Sequence, residues 1–156
     1  MEIKSIVREL QSRHRQDLKI YRQAHQEWKN RMLHIILIPA ECWSALLLGL
    51  LIFPSSMILF VGIALACLSL VLATNPTIGA ATFLFHGSAL WTGLAIVASR
   101  DLWEAWVICM SLWTIAWALQ VVVGHCIWER NDPNVANLPS VSILAMCQSV
   151  LIAWSS

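Results

Sequence analysis

Apolar residues in this chain come in long blocks, not in the short periodic runs of a soluble core. Residues 33–53, 55–73, 77–99 and 102–124 each approach or exceed the roughly 20 mostly apolar residues that cross about 30 Å of hydrocarbon. A fifth block, 141–154, is shorter and reads as partly crossing or re-entrant. The breaks between them are narrow: Phe53-Pro54-Ser55, Asn75-Pro76-Thr77 and Arg100-Asp101. Ahead of the first block, residues 2–28 switch to a helical period. Ile3, Val7, Leu10, Leu18, Tyr21 and Trp28 share one stripe with His14 and His25, while Lys4, Arg8, Arg15, Lys19 and Arg22 cluster on an adjacent face. The pattern predicts an all-α polytopic membrane helix bundle of four to five spans, with an N-terminal amphipathic helix at the interface. Residues 1–32 form the basic arm; residues 33–156 form the bundle, with a loop near 125–140.

Composition agrees with this reading. The hydrophobic fraction is 58%, the charged fraction 12% and the mean hydropathy +0.68, against about 25% charge in a typical soluble domain. Eight of the ten Lys and Arg residues precede the first span, which predicts a cytosolic N-terminus. Four crossings then return the chain to that side at His125. Such a chain is expected to contact membrane lipids and no nucleic acid; its oligomeric state is not encoded. Residues 1–32 are polar, and the first apolar block begins too far in for a cleavable signal. The five cysteines are scattered without a CxxC pair and read as packing residues. Among the nine tryptophans, Trp103, Trp106 and Trp128 fall at span ends, as aromatic belts do. Trp113 and Trp117, one turn apart inside a span, read as helix packing or as the lining of an acyl-chain cavity.

The candidate chemistry sits where the fourth span ends. His125 and Glu129 are four residues apart, on one face of an α-helix. The predicted topology brings His25 and His34 to the same membrane surface. Those two are nine residues apart, two and a half turns of an α-helix, so they share a centre only if the helix breaks between them. The break is expected at Trp28-Lys29-Asn30, with Asn30 one turn before His34 and Pro39 kinking the span beyond. Three imidazoles and a carboxylate suit iron(II) or zinc. Glu41 lies seven residues after His34, about 10 Å along the axis. A carboxylate in hydrocarbon is a functional candidate, here a packing carboxyl, a proton donor or a substrate contact. His86, in the third span, reads first as a core histidine bonded to Ser or Thr and second as a fourth nitrogen ligand.

The run Tyr21-x3-His25-x4-Asn30-x3-His34, followed by Pro39, resembles the opening signature of the 2-hydroxy fatty acid dioxygenase family. Trp117-x2-Gln120-x3-Gly124-His125-x3-Glu129-x3-Pro133 resembles its second signature. The best-studied members are fungal proteins of the endoplasmic reticulum that degrade phytosphingosine. The resemblance implies an integral membrane protein of that compartment; the predicted topology puts the N-terminus and the metal site on the cytosolic side. It also implies an iron(II) enzyme that shortens a 2-hydroxy fatty acid by one carbon with O2 and without 2-oxoglutarate. His25, His34 and His125 would then hold Fe(2+), with Glu129 a ligand or a partner orienting an imidazole. Tyr21, Asn30 and Gln120 would support the ligands. Arg22 and Arg31 are expected to attract the carboxylate of a lipophilic hydroxy acid. The chain departs from the family pattern at Pro133-Asn134 and at Gln26-Glu27-Trp28.

Two other functions fit the same sequence. A metal-free membrane cyclase or isomerase would use Glu129 or Glu41 as general acid, with tryptophans stabilising a cation. A non-enzymatic membrane scaffold would use only the bundle and its basic arm.

Overall fold

The computed structural model describes residues 3–73, 75–99, 101–130, 150 and 152–155. The described chain is helical with no strands. Helix α1 spans Ile3–Ala24, α2 Trp28–Ile52, α3 Ser55–Leu72, α4 Pro76–Ser99 and α5 Leu102–Ala118, which runs on without a break into a π-helix at Leu119–Glu129. Four rods are long and apolar enough to cross a membrane: α2, α3, α4 and the 28-residue rod Leu102–Glu129. They match the four expected blocks to within five residues at every end. The fifth block lies largely outside the described residues, as does the expected loop beyond residue 130. Residues 125–129 of that loop belong to the π-helix.

Two of the short breaks carry side-chain caps, while the Phe53-Pro54-Ser55 turn is closed by backbone bonds alone, the Pro54 carbonyl accepting from the Met57 N–H at 2.9 Å. Asn75 Oδ1 accepts from the N–H groups of Thr77 (2.9 Å) and Ile78 (3.4 Å), with Pro76 opening α4 where its missing donor costs nothing. Asp101 caps α5 by accepting from the Trp103 N–H at 2.9 Å. The core gathers Leu46 and Leu50 of α2, Ile58, Leu65 and Leu72 of α3, and Ala89 and Leu90 of α4. Large apolar side chains elsewhere point outward, as a lipid solvent allows; Phe60, Leu84 and Trp91 are 74%, 68% and 75% exposed.

Pro39 does not end α2, which continues to Ile52. Proline removes the N–H that would bond the carbonyl four residues back, at Ile35. Trp154 Nε1 donates to that carbonyl at 3.1 Å instead, and the Trp154 ring meets Phe85 of α4 at 5.7 Å. The described C-terminal residues are thereby tied to α2 and α4, through an acceptor that Pro39 leaves free.

Helix α1 spends its apolar stripe on the bundle. His14 and Leu18 are buried, Leu10 packs on the core, and Gln11 Nε2 donates to the Val71 carbonyl near the end of α3 at 2.8 Å. Two members of the expected stripe lie elsewhere. Ile3 is exposed at the helix start, and Trp28 opens α2 with 61% exposure. The break between arm and span falls at His25-Gln26-Glu27, earlier than the expected Trp28-Lys29-Asn30. The phase of the stripe is lost there, which is why Trp28 leaves it.

Candidate metal centre

Three histidines from three stretches of chain meet at the α1 end of the bundle. His25 comes from the break after α1, His34 from the second turn of α2, and His125 from the π-helix. Their ring centroids are 4.6 Å (His25–His34), 4.9 Å (His25–His125) and 5.3 Å (His34–His125) apart. The planes stand at 70–79° to one another, so edges converge instead of faces stacking. One nitrogen from each lies within 4.8 Å of the other two. Two nitrogens each 2.0–2.1 Å from one ion stand about 3–3.5 Å apart at tetrahedral or octahedral angles, so binding would draw the rings together.

The nine-residue spacing that should have kept His25 and His34 apart is defeated by the break. A second nine-residue problem is solved differently. Gln120 and Glu129 would lie on opposite faces of an α-helix. The i→i+5 winding widens the turn, so that residues four and five apart stack. Gln120, Gly124, His125 and Glu129 consequently all face α2: Gln120 meets Glu41, Gly124 meets Asn30, His125 meets His34, and Glu129 meets Asn30. The winding stops at Arg130, whose backbone is left-handed (φ 54°) and whose N–H bonds the His125 carbonyl.

Backbone carbonyls set the tautomers. His25 Nδ1 lies 2.9 Å from the Tyr21 carbonyl and His34 Nδ1 lies 2.9 Å from the Asn30 carbonyl. A carbonyl only accepts, so each Nδ1 carries the proton and each Nε2 keeps its lone pair. This is the usual arrangement behind a metal-bound imidazole. His25 Nε2 is buried without a hydrogen-bond partner among the described residues. Burial pushes the His25 pKa below its ordinary value, and the His125 ring adds to this; the Tyr21 carbonyl and the Glu129 carboxylate oppose it. His25 therefore stays in the neutral, ligating form. Tyr21 stacks on it at 3.9 Å and 16°, fixing the ring plane. These donors and tautomers fit a borderline divalent metal.

The other expected site residues divide. Asn30, fully buried, sits beside the cluster and donates its amide to Glu129 Oε1 at 3.2 Å. Glu129 Oε1 also accepts the Glu27 backbone N–H at 3.0 Å. Gln120 turns away from the histidines and donates to Glu41 Oε1 at 2.7 Å, so Glu41 and Gln120 form their own pair. Arg22 donates to the Ser155 carbonyl at 2.5 Å. Arg31, partly buried in the first turn of α2, has its Nε buried without a hydrogen-bond partner among the described residues. Trp113 and Trp117 point outward from α5, 39% and 53% exposed. His86 is fully buried with Nδ1 2.8 Å from the Thr82 carbonyl and stands outside the cluster. Sequence reasoning did not single out the Glu27 N–H, a backbone group that side-chain spacing does not reveal.

Fold and site together define an integral membrane helix bundle with a three-histidine cluster, able to hold a metal ion, at one end. A family model described as 2-hydroxy-palmitic acid dioxygenase Mpo1-like matches residues 11–155, and the chain belongs to that family. No curated protein and no solved structure matches the chain.

Proposed function

We propose that this protein is an iron(II)-dependent dioxygenase that shortens a 2-hydroxy fatty acid by one carbon. It works at the cytosolic end of the bundle in the endoplasmic reticulum membrane. The observation that carries this reading is the convergence of His25, His34 and His125, in a family whose description names a 2-hydroxy-palmitic acid dioxygenase. The cytosolic orientation follows from the eight basic residues ahead of the first span.

The reaction balances without a co-substrate: R–CHOH–COOH and O2 give R–COOH, CO2 and H2O. The C1–C2 bond breaks, C1 leaves as CO2, C2 becomes the new carboxyl carbon, and the four electrons lost by the substrate reduce O2. Iron(II) held by the three histidines would supply the binding and activation of O2 beside the hydroxy acid. The rest falls to the chain. The Tyr21 and Asn30 carbonyls hold two imidazoles with Nε2 unprotonated. Arg31, whose Nε lacks a partner among the described residues, takes the substrate carboxylate by charge-assisted hydrogen bonds. Arg22 contributes to the local positive field while its guanidinium holds Ser155. The acyl tail lies against the apolar outer surface of the spans, where Trp113 and Trp117 offer flat apolar contacts.

Oxygen uptake by iron-loaded protein in mild detergent tests this. Uptake should match consumption of 2-hydroxypalmitate mole for mole, yield the one-carbon-shorter acid, need no 2-oxoglutarate, and fail with 3-hydroxypalmitate. An iron-loaded, folded protein that consumes no O2 with 2-hydroxy acids of any chain length would overturn it.

A further inference from the structure

We infer that Glu129 is a positioning residue that latches the α1–α2 break shut, and that it is not a ligand of the metal; this rests on the metal-centre reading above. Its Oε1 accepts both the Glu27 N–H and the Asn30 side-chain amide, at 3.0 and 3.2 Å. Glu27 is the N-cap of α2, and no side-chain cap bond is made there from within the helix. In a capping box, the acidic side chain at the third helical position reaches back to the N-cap N–H. Here the third position is Asn30, and it grips a carboxylate that arrives from the π-helix to do that job. A negative charge at this place also sits at the positive end of the α2 dipole.

Each of these two bonds controls an imidazole. Holding the Glu27 N–H fixes the hand-over from α1 to α2, two residues after His25. Holding the Asn30 side chain fixes the first turn of α2, whose Asn30 carbonyl receives the His34 Nδ1 proton at 2.9 Å. His125 lies on the π-helix four residues before Glu129. One carboxylate thus ties together all three stretches that carry ring nitrogens. A separate observation agrees: among the described residues, the group able to share one ion is His25, His34 and His125, without Glu129.

The full-length protein in detergent allows two readouts, cobalt(II) affinity by titration and amide hydrogen exchange at Glu27 in the metal-free state. Glu129→Ala should speed exchange at the Glu27 amide and weaken cobalt(II) binding by about 10–100-fold, the usual cost of losing a partner that orients a ligand. Glu129→Gln keeps an acceptor oxygen and should keep the protection and most of the affinity. Asn30→Asp alone sets two carboxylates against each other and should lose both; the Asn30→Asp/Glu129→Gln pair, with the donor and acceptor exchanged, should recover them. Cobalt(II) lost as fully in Glu129→Gln as in Glu129→Ala, with the Glu27 amide protected throughout, would overturn the latch and make the carboxylate a ligand. A wild type that binds no cobalt(II), yet loses Glu27 protection on Glu129→Ala, would remove the metal centre and leave the latch standing.

Discussion

Replacing Gly124 with alanine tests whether the close approach of the π-helix to α2 holds the site together. The added Cβ would press on Asn30 Oδ1, 3.2 Å from Asn30 Cγ and 3.5 Å from His34 Cε1. Asn30 has no room to retreat, being fully buried with its amide held by Glu129. If the helices separate, overpacking costs about 1–3 kcal/mol. If Asn30 releases Glu129 instead, the lost bond to a charged group costs about 1.5–3 kcal/mol. Alanine returns about 1 kcal/mol over glycine within a helix. The net loss is at most about 2 kcal/mol and about 1 kcal/mol at the middle of either range, a fall of about 2–4 °C in melting temperature at that middle value and up to about 8 °C for a chain of this size. Gly87 is the matched control: nothing lies within 4 Å of its added Cβ, so Gly87→Ala should gain about 0.5–1 kcal/mol. Thermal unfolding of both variants in one detergent, followed by tryptophan fluorescence, measures the contrast. Cobalt(II) affinity should fall only in Gly124→Ala. A Gly124→Ala protein that melts at or above wild type and binds cobalt(II) normally would refute the close approach.

Three other perturbations bear on separate parts of the account. Burial pushes the His14 pKa below its ordinary value, with Asp17 opposing and Arg15 adding to the shift. The unfolded chain therefore takes up a proton near pH 6.5 that the folded one refuses. The His14 contribution is complete above that pH and declines as pH falls toward the folded pKa, by at most about 1.4 kcal/mol per pH unit. His14→Gln should flatten the melting profile between pH 7.5 and 5.5, and an unchanged slope would contradict this. Gln120→Leu removes the 2.7 Å donor to Glu41 and should destabilise the protein by about 1–3 kcal/mol in chemical unfolding. It should leave metal stoichiometry intact, whereas metal loss would put the Glu41–Gln120 pair inside the site. Trp154→Phe should cost about 0.5–1.5 kcal/mol, and less in a Pro39→Ala background, where the restored N–H takes the Ile35 carbonyl; a double-mutant cycle with no coupling would refute the substitution of Trp154 for the missing donor.

Much of the architecture was legible because membrane spans announce themselves by length and apolarity alone. The spans starting near residues 33, 55, 77 and 102 appear as helices, and in two of the narrow breaks Asn75 and Asp101 appear as helix caps. The three histidines were legible as a group because each stands at a span end, and an up-and-down topology leaves few places for span ends to be. The detail between them was not. The π-winding at Leu119–Glu129 is a backbone choice with no side-chain period to betray it in advance, yet it decides that Gln120 and Glu129 both face α2. The spacing of His34 and Glu41 puts them on one face of α2 about 10 Å apart along the axis, but nothing in the sequence paired Glu41 with Gln120. The basic arm read as an amphipathic helix, but its apolar stripe runs against the end of the bundle, and the phase break at His25-Gln26-Glu27 removes Trp28 from it. A stripe shows that one face is covered and does not show by what.

The most direct test of the metal centre is elemental analysis of protein purified anaerobically in mild detergent, wild type beside His125→Ala. The account predicts close to one iron per chain in the wild type, none in a variant that still unfolds cooperatively, and retention of iron in His86→Ala, since His86 stands outside the cluster. A folded wild type that stays metal-free after iron(II) or zinc is supplied would contradict the central claim.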